Sequence, residues 1–179
     1  MCLLLKFINR FWMLPLFRLG LGPFVGNPLT GYIIVLETVG RKTAKTHSFP
    51  VNYAIMDGAI YCMAGFWENT DWFRNLQAHP RVELILPSGP VSGKSEPVGD
   101  CAAGTRARVL ILKNSGFAGF LTGINPFTAT DATVREKTLK YPLVRVRPTG
   151  AGAGAGDAGG AMWVLSLLLS ALTIWLLLR

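Results

Sequence analysis

Arg41, Lys42 and Lys45 place three cations in five positions, within the run Gly40-Arg41-Lys42-Thr43-Ala44-Lys45-Thr46-His47. A planar guanidinium grips phosphate or carboxylate with a fork, lysines add mobile point charges, and Thr43 and Thr46 supply hydroxyls. Gly40 permits the tight backbone that lets such groups converge. The chemistry this composition suits is anion binding, and a solvated basic surface loop is the competing reading. The flanks favour the first. Tyr32 to Thr38 upstream and Ser48 to Met56 downstream are rich in β-branched and aromatic residues, so the cations are expected between two strands, at the mouth of a sheet. Asp57-Gly58 then signals a hairpin turn.

The chain has 179 residues, 18 Lys and Arg against 10 Asp and Glu, and a formal charge of +8. That length suits one compact domain with extensions, and the charge favours anionic partners without choosing among them. Cys2, Cys62 and Cys101 are odd in number and far apart, which indicates neither a disulfide framework nor a zinc site. His47 and His79 lack acidic or cysteine partners at ligand spacing, so no metal is expected. Nucleic-acid binding is disfavoured: Gly116-Phe117-Ala118-Gly119 matches a G-x-x-G loop only superficially and carries no cations. Walker, nucleophile-elbow and dinucleotide fingerprints are missing from the sequence.

Six strands are expected, over Tyr32 to Thr38, Thr46 to Met56, Ala59 to Ala64, Arg81 to Leu86, Val91 to Pro97 and Leu143 to Arg147. Helices are expected over Asp71 to Ala78 and Thr105 to Lys113, the second entered through Cys101 to Gly104. Short strands with helices at the corners predict a small antiparallel barrel, mainly β with α+β character, in which closure removes exposed edges.

The two ends are apolar. Residues 1–27 read as an amphipathic helix with Lys6, Asn9 and Arg10 in a narrow polar stripe and Pro15 interrupting it; it lies at an interface or packs on the domain. Residues 28–149 form the expected barrel domain, and residues 150–160 alternate Gly and Ala as a tether. Within residues 161–179, Ala161 to Leu178 is an unbroken apolar run with only Ser166, Ser170 and Thr173 as mildly polar residues, Trp163 and Trp175 near its ends and Arg179 closing it. As a helix the run would reach about 27 Å, enough for a thin hydrocarbon core, so a single-pass C-terminal membrane anchor is expected. Arg145, Arg147 and the basic domain place the N-terminal side in the cytoplasm by the positive-inside rule.

In order and spacing, Gly40-Arg41-Lys42-Thr43, Phe49-Pro50-Val51-Asn52-Tyr53, Ala64-Gly65-Phe66, Asp71-Trp72-Phe73-Arg74-Asn75-Leu76-Gln77-Ala78-His79-Pro80 and Tyr141-Pro142-Leu143-Val144-Arg145-Val146-Arg147-Pro148 resemble the deazaflavin-dependent nitroreductase family. The resemblance spans roughly Pro28 to Pro148. It implies a split β-barrel of the flavin-mononucleotide-binding type and the deazaflavin coenzyme F420, with FMN as the alternative cofactor. It also implies an oxidoreductase that passes hydride to a lipophilic acceptor such as a quinone, an enone or a nitroaromatic. A non-catalytic cofactor or lipid carrier is the reading from a different class.

Carried over by motif, Arg41, Lys42 and Thr43 would hold the coenzyme's phosphate and acidic tail. His47, Ser48, Phe49, Pro50, Val51 and Asn52 would run along it, and Met63, Ala64, Gly65 and Phe66 would approach from the next strand. Asp71, Trp72, Phe73, Arg74 and Asn75 would close the pocket, with Trp72 and Asn75 the leading contacts. No catalytic acid is assigned; Tyr53 and Tyr141 are candidates for which packing is the stronger reading. This chain departs from the family pattern at His47, where relatives carry an arginine, and at Trp67, where they carry a glycine. Relatives of this barrel pair as dimers, so a homodimer is an expectation by analogy.

Overall fold

The computed structural model describes residues 14–19, 21, 31–64, 70–87, 89–120, 123–125, 127–151 and 172–178. Its centre is a closed six-stranded barrel made of β1 (Ile33–Val39), β2 (Thr46–Met56), β3 (Ala59–Met63), β4 (Arg81–Leu86), β5 (Gly89–Val98) and β6 (Leu143–Ala151). The strands run in the order β1-β2-β3-β6-β5-β4, β4 closing back onto β1, and every neighbouring pair is antiparallel. This is the barrel expected from the sequence. Strand ends differ from expectation by one or two residues except at β6, which continues to Ala151. There Gly150 pairs with Ser92 and Ala151 with Val91, so the first two residues of the expected tether are strand. Backbone pairing with β5 needs no side chain, which is why a Gly/Ala composition did not reveal it.

The β2–β3 hairpin turns at Asp57 and Gly58, with φ of 53° and 71°. Both central residues of a type I′ turn need positive φ, and Asp-Gly is the pair that tolerates this, so the turn signal and the geometry agree.

Strand alternation separates two cores. Ile34 and Leu36 of β1, Val51 of β2, Ile60 and Cys62 of β3, Val82, Leu84 and Leu86 of β4, and Val144 and Val146 of β6 fill the barrel interior. Alternate positions face a second cluster, in which Ala54, Met56, Tyr61 and Met63 meet Ala107, Ile111 and Leu112 of α3 (Ala102–Lys113) and Val134 of α5 (Asp131–Thr138). β3 is therefore buried on both faces along its whole length. Burial pushes the Cys62 thiol up to about 12, which makes it an unreactive part of the packing.

A short helix, α4 (Phe117–Phe120), and α5 lie in the stretch the sequence left unassigned. Thr130 caps α5, its Oγ1 accepting from the Thr133 amide. A buried arginine, Arg108, binds the end of α5: it donates to the carbonyl of Tyr141 at 2.8 Å and to that of Thr138. Those carbonyls offset the desolvation that lowers the Arg108 pKa.

At the N-terminal side, α1 (Leu14–Arg18) contains Pro15, and its Phe17 is buried. The rest of the expected amphipathic helix, residues 1–13, 20 and 22–27, lies outside the described residues. So does most of the expected anchor: only residues 172–178 are described, and 172–177 are helical. Among the described residues no helix is long and apolar enough to cross a membrane.

The register of β5 shifts between Ser92 and Gly93, where the barrel wall is tight. A Cβ on Gly93 would lie 2.5 Å from Val146 Cγ1 and 2.9 Å from the Arg147 carbonyl oxygen. Gly93→Ala is expected to cost about 1–3 kcal/mol by overpacking. Thermal unfolding checks this, at about 2–4 °C per kcal/mol for a chain of this size; an unchanged midpoint would show that β6 gives way freely.

Candidate cofactor site

The cationic run is the loop joining β1 to β2. It closes on itself, Gly40 N–H donating to the Lys45 carbonyl at 2.8 Å and Ala44 N–H to the Gly40 carbonyl at 2.9 Å. Ala44 takes a left-handed φ of 54° to make the return. Gly40 lies close under two exposed side chains: a Cβ there would come within 2.7 Å of Thr43 Oγ1 and 2.8 Å of the His47 ring, and both would have to move. Those two side chains are joined, Thr43 Oγ1 and His47 Nε2 being 3.2 Å apart.

The loop is fastened to α2 (Asp71–Ala78), and the fastening centres on one amide. Asn75 Oδ1 accepts from the Arg41 backbone N–H at 3.2 Å and from Arg41 Nη1 at 3.1 Å. Its Nδ2 donates to Thr38 Oγ1 at 3.2 Å in a buried setting. Asp71 Oδ1 accepts from both terminal nitrogens of Arg41, each at 3.1 Å. Arg41 is thus held by two residues of α2 with its side chain 25% exposed, whereas Lys42 and Lys45 stand in solvent. The result is one fixed cation beside two mobile ones, on a loop at the end of the barrel.

α2 is amphipathic, with Trp72, Asn75 and Leu76 on its buried face. Trp72 lies in the barrel core, meeting Phe73 edge-on at 6.2 Å, because helical spacing puts it in line with Leu76. Trp72, expected as a leading contact of the cofactor, is instead buried in the core, because the helical phase of α2 turns it inward with Leu76. Phe73 is half-buried against the same core and Arg74 is exposed.

Along β2 the expected residues divide by face. Phe49, Val51 and Tyr53 turn to the interior. Ser48 faces the other way and donates to Glu37 Oε1 at 3.0 Å; Pro50 pairs with Val35, and Asn52 Nδ2 donates to the Tyr32 carbonyl at 3.2 Å. His47 is exposed, its ring 6.4 Å from that of Phe49. Burial, then the nearby Tyr32 and Cys62, raises the Tyr53 pKa, so this phenol keeps its proton through the neutral range.

From β3, Ala64 belongs to the interior, and its N–H donates to the Pro142 carbonyl at 2.9 Å. Met63 does not join the loop: it lies in the second core beneath α3, its sulfur 3.5 Å from Arg108 Nη1. Period-two alternation explains this, since Cys62 and Ala64 take the interior positions. Gly65, Phe66 and Trp67 lie outside the described residues. Sequence reasoning missed Thr38, the partner of Asn75; its inward parity with Ile34 and Leu36, one residue short of the loop, was the available signal.

Arg41, Lys42, Thr43, His47, Asp71 and Asn75 are therefore brought together, as a basic loop braced by a helix. The surface cavity of about 420 Å³ lined by Asp100, Cys101, Thr105, Arg106, Asp131 and Arg135 is separate from this group. There Asp100 is paired with Arg135, which lowers the carboxyl pKa, so the cavity offers an anion little uncompensated charge.

The model of the F420H(2)-dependent quinone reductase family matches residues 18–109, which include the cationic loop, β2, β3 and α2. The chain belongs to that family. It is accordingly a deazaflavin-dependent oxidoreductase, and its cofactor is coenzyme F420. The donor set fits the group: a fixed guanidinium, two exposed ammonium groups and hydroxyls suit a phosphate and an acidic tail.

Solved structures with a similar fold include a conserved hypothetical protein from Mycobacterium tuberculosis, 20% identical, with a TM-score of 0.49 over 72% of this chain and 78% of that one. An F420 reductase is 18% identical, with a TM-score of 0.46 over 73% and 94%. An F420-H2 dependent reductase is 17% identical, with a TM-score of 0.44 over 64% and 93%. No curated protein sequence matches the chain. The family membership rests on the family model.

Asn75→Ala would strand the Thr38 hydroxyl and the Arg41 amide. The expected loss is about 1–3 kcal/mol in denaturant unfolding, with Lys42→Ala within about 0.5 kcal/mol of the parent. Equal effects for the two variants would show that the brace is not structural.

Proposed function

We propose that the chain is a membrane-tethered reductase that passes hydride from reduced F420 to a lipophilic acceptor, a quinone first among quinones, enones and nitroaromatics. The observation that carries this reading is the braced cationic loop inside the family match. When bound, the coenzyme supplies the hydride. The chain's own work is binding, orientation and exclusion of water.

In this scheme Arg41, oriented by Asp71 and Asn75, grips the coenzyme's phosphate, and Lys42 and Lys45 adapt to the acidic tail. Thr43 and His47 act as a joined pair: where an arginine would present a second fork, His47 is tied back to Thr43 and offers none. Phe49, Pro50 and Val51 supply the strand along which the cofactor lies. By the resemblance Phe66 would approach the cofactor and Trp67 would stand near the acceptor's entrance; both lie outside the described residues. Tyr53 holds its proton and packs.

The membrane part of the proposal rests on the sequence of residues 161–179, whose described portion exposes Leu172, Ile174, Leu176, Leu177 and Leu178. A helix of that composition placed in a bilayer would hold the domain where lipophilic acceptors dissolve, with the basic side cytoplasmic.

The cofactor test is a fluorescence titration of the full chain with F420 and with FMN, repeated for the Arg41→Ala, Lys42→Ala double variant. F420 is expected to bind in preference, with affinity falling at least tenfold in the variant. Preferential FMN binding would move the enzyme to flavin chemistry, and binding of neither would favour a carrier. The tether is checked separately by alkaline carbonate extraction of membranes carrying the full chain. Retention in the pellet is expected, and release to the supernatant would remove the anchor.

A further inference from the structure

Three phenylalanines stand in water on the folded domain, outside every role assigned above. Phe117, Phe120 and Phe127 are 59%, 49% and 70% exposed. Phe117 and Phe120, three apart on α4, share a helical face, and the Phe120 and Phe127 rings are 6.1 Å apart. They form one aromatic cluster.

Its base is fixed at both sides. Before α4, the Asn114 carbonyl accepts from the Tyr32 N–H at 2.7 Å, and Asn114 Nδ2 donates to the Tyr53 carbonyl at 3.2 Å. After α4, Lys137 Nζ donates to the Gly123 carbonyl at 3.4 Å, tying α5 to the turn between Phe120 and Phe127. The chain thus displays these rings on a braced support joined to β2, the strand that runs from the cationic loop.

Cations flank the cluster in sequence, and Lys137 meets the turn within it. Lys113 ends α3 beside the Asn114 corner, Lys137 touches the turn, and Lys140 follows α5; all three are exposed. Asp131 and Glu136 of α5 are exposed in the same region and reduce the local charge without cancelling it. Exposed aromatic rings with a lysine on their turn and lysines flanking them in sequence match the layering of a lipid surface, with anionic phosphates outside and acyl chains below.

We propose that the Phe117, Phe120 and Phe127 cluster docks the folded domain onto an anionic lipid bilayer, as a contact distinct from the C-terminal run. A second copy of the chain fits less well, because each copy carries a formal charge of +8. The inference rests on the membrane part of the reading above and is independent of the cofactor. A chain held at a bilayer by residues 161–179 presents this cluster to lipid at high effective concentration, so a weak contact suffices. Because the Asn114 corner bonds to the β2 backbone, docking would set the orientation of the barrel toward lipid as well as its distance.

The test uses the full chain with p-benzoyl-phenylalanine at position 127, or at the exposed His79 as a control. Each is bound to phosphatidylcholine vesicles with or without phosphatidylglycerol and irradiated, and adducts are read by mass spectrometry. A lipid adduct at 127 that is several-fold stronger with phosphatidylglycerol, and weak at 79, is expected. Vesicle-bound chain with no lipid adduct at 127, or equal adducts at both positions, would overturn the docking and leave the tether standing. A chain that binds neither vesicle would overturn both, and an adduct at 127 to a second copy would reassign the cluster to self-association. None of these outcomes bears on F420 binding, which the titration reads independently.

Discussion

One buried amide organises the cofactor end of this protein. Asn75 joins the last inward residue of β1, Thr38, to the first cation of the loop, Arg41, and it does so from a helix that is distant in sequence. An amide suits the position because it donates from one end and accepts at the other, matching a hydroxyl on one side and N–H groups on the other. A carboxylate would lack the donor, and an aliphatic side chain would leave buried polar groups unpaired. The placement of α2, the path of the loop and the direction of Arg41 therefore depend on the same side chain.

That dependence divides the charge of the loop into two kinds. Arg41 has given up much of its rotamer freedom within the fold, so binding an anion there orders less. Asp71, itself exposed, accepts from the fork on one side, and the remaining N–H groups of the Arg41 guanidinium are left for a ligand. Lys42 and Lys45 keep their freedom and their hydration, which suits a flexible acidic tail better than a phosphate of fixed geometry. A loop of three mobile cations would attract the same anions but would not define where they sit.

Much of the architecture was legible because its signals were local. The β-branched and aromatic runs of β1 and β2, the Asp-Gly turn and the short helix with Asp71 in its first turn and Pro80 beyond its end each follow from a few neighbouring residues. Arg41, Asp71 and Asn75 could be named because the motif places them. What the sequence could not show was the pairing, since Asn75 with Thr38 is a contact across 37 positions. Met63 and Trp72 illustrate a second limit: a motif places a residue near a site, but strand parity and helical phase decide which way it faces. The region from Gly116 to Asp131 was obscure for a third reason. Its helices are short, its phenylalanines at 117, 120 and 127 are exposed, and periodicity detects elements that bury a face.

The exposed phenylalanines make sense when the two cores are considered together. The interior and the α3 face are each filled by residues from several strands, with Leu112 and Ile111 fully buried at the end of α3. Just beyond that point Asn114 spends its carbonyl and its amide on Tyr32 and Tyr53, so the chain leaves the core with its direction fixed. Beyond that corner Ile124 returns to the second core while Phe117, Phe120 and Phe127 stay outside it. An apolar partner can therefore cover the three rings without remodelling the barrel. A surface preorganised in this way loses little conformational entropy on contact, which is the condition under which a few rings and lysines can orient a whole domain.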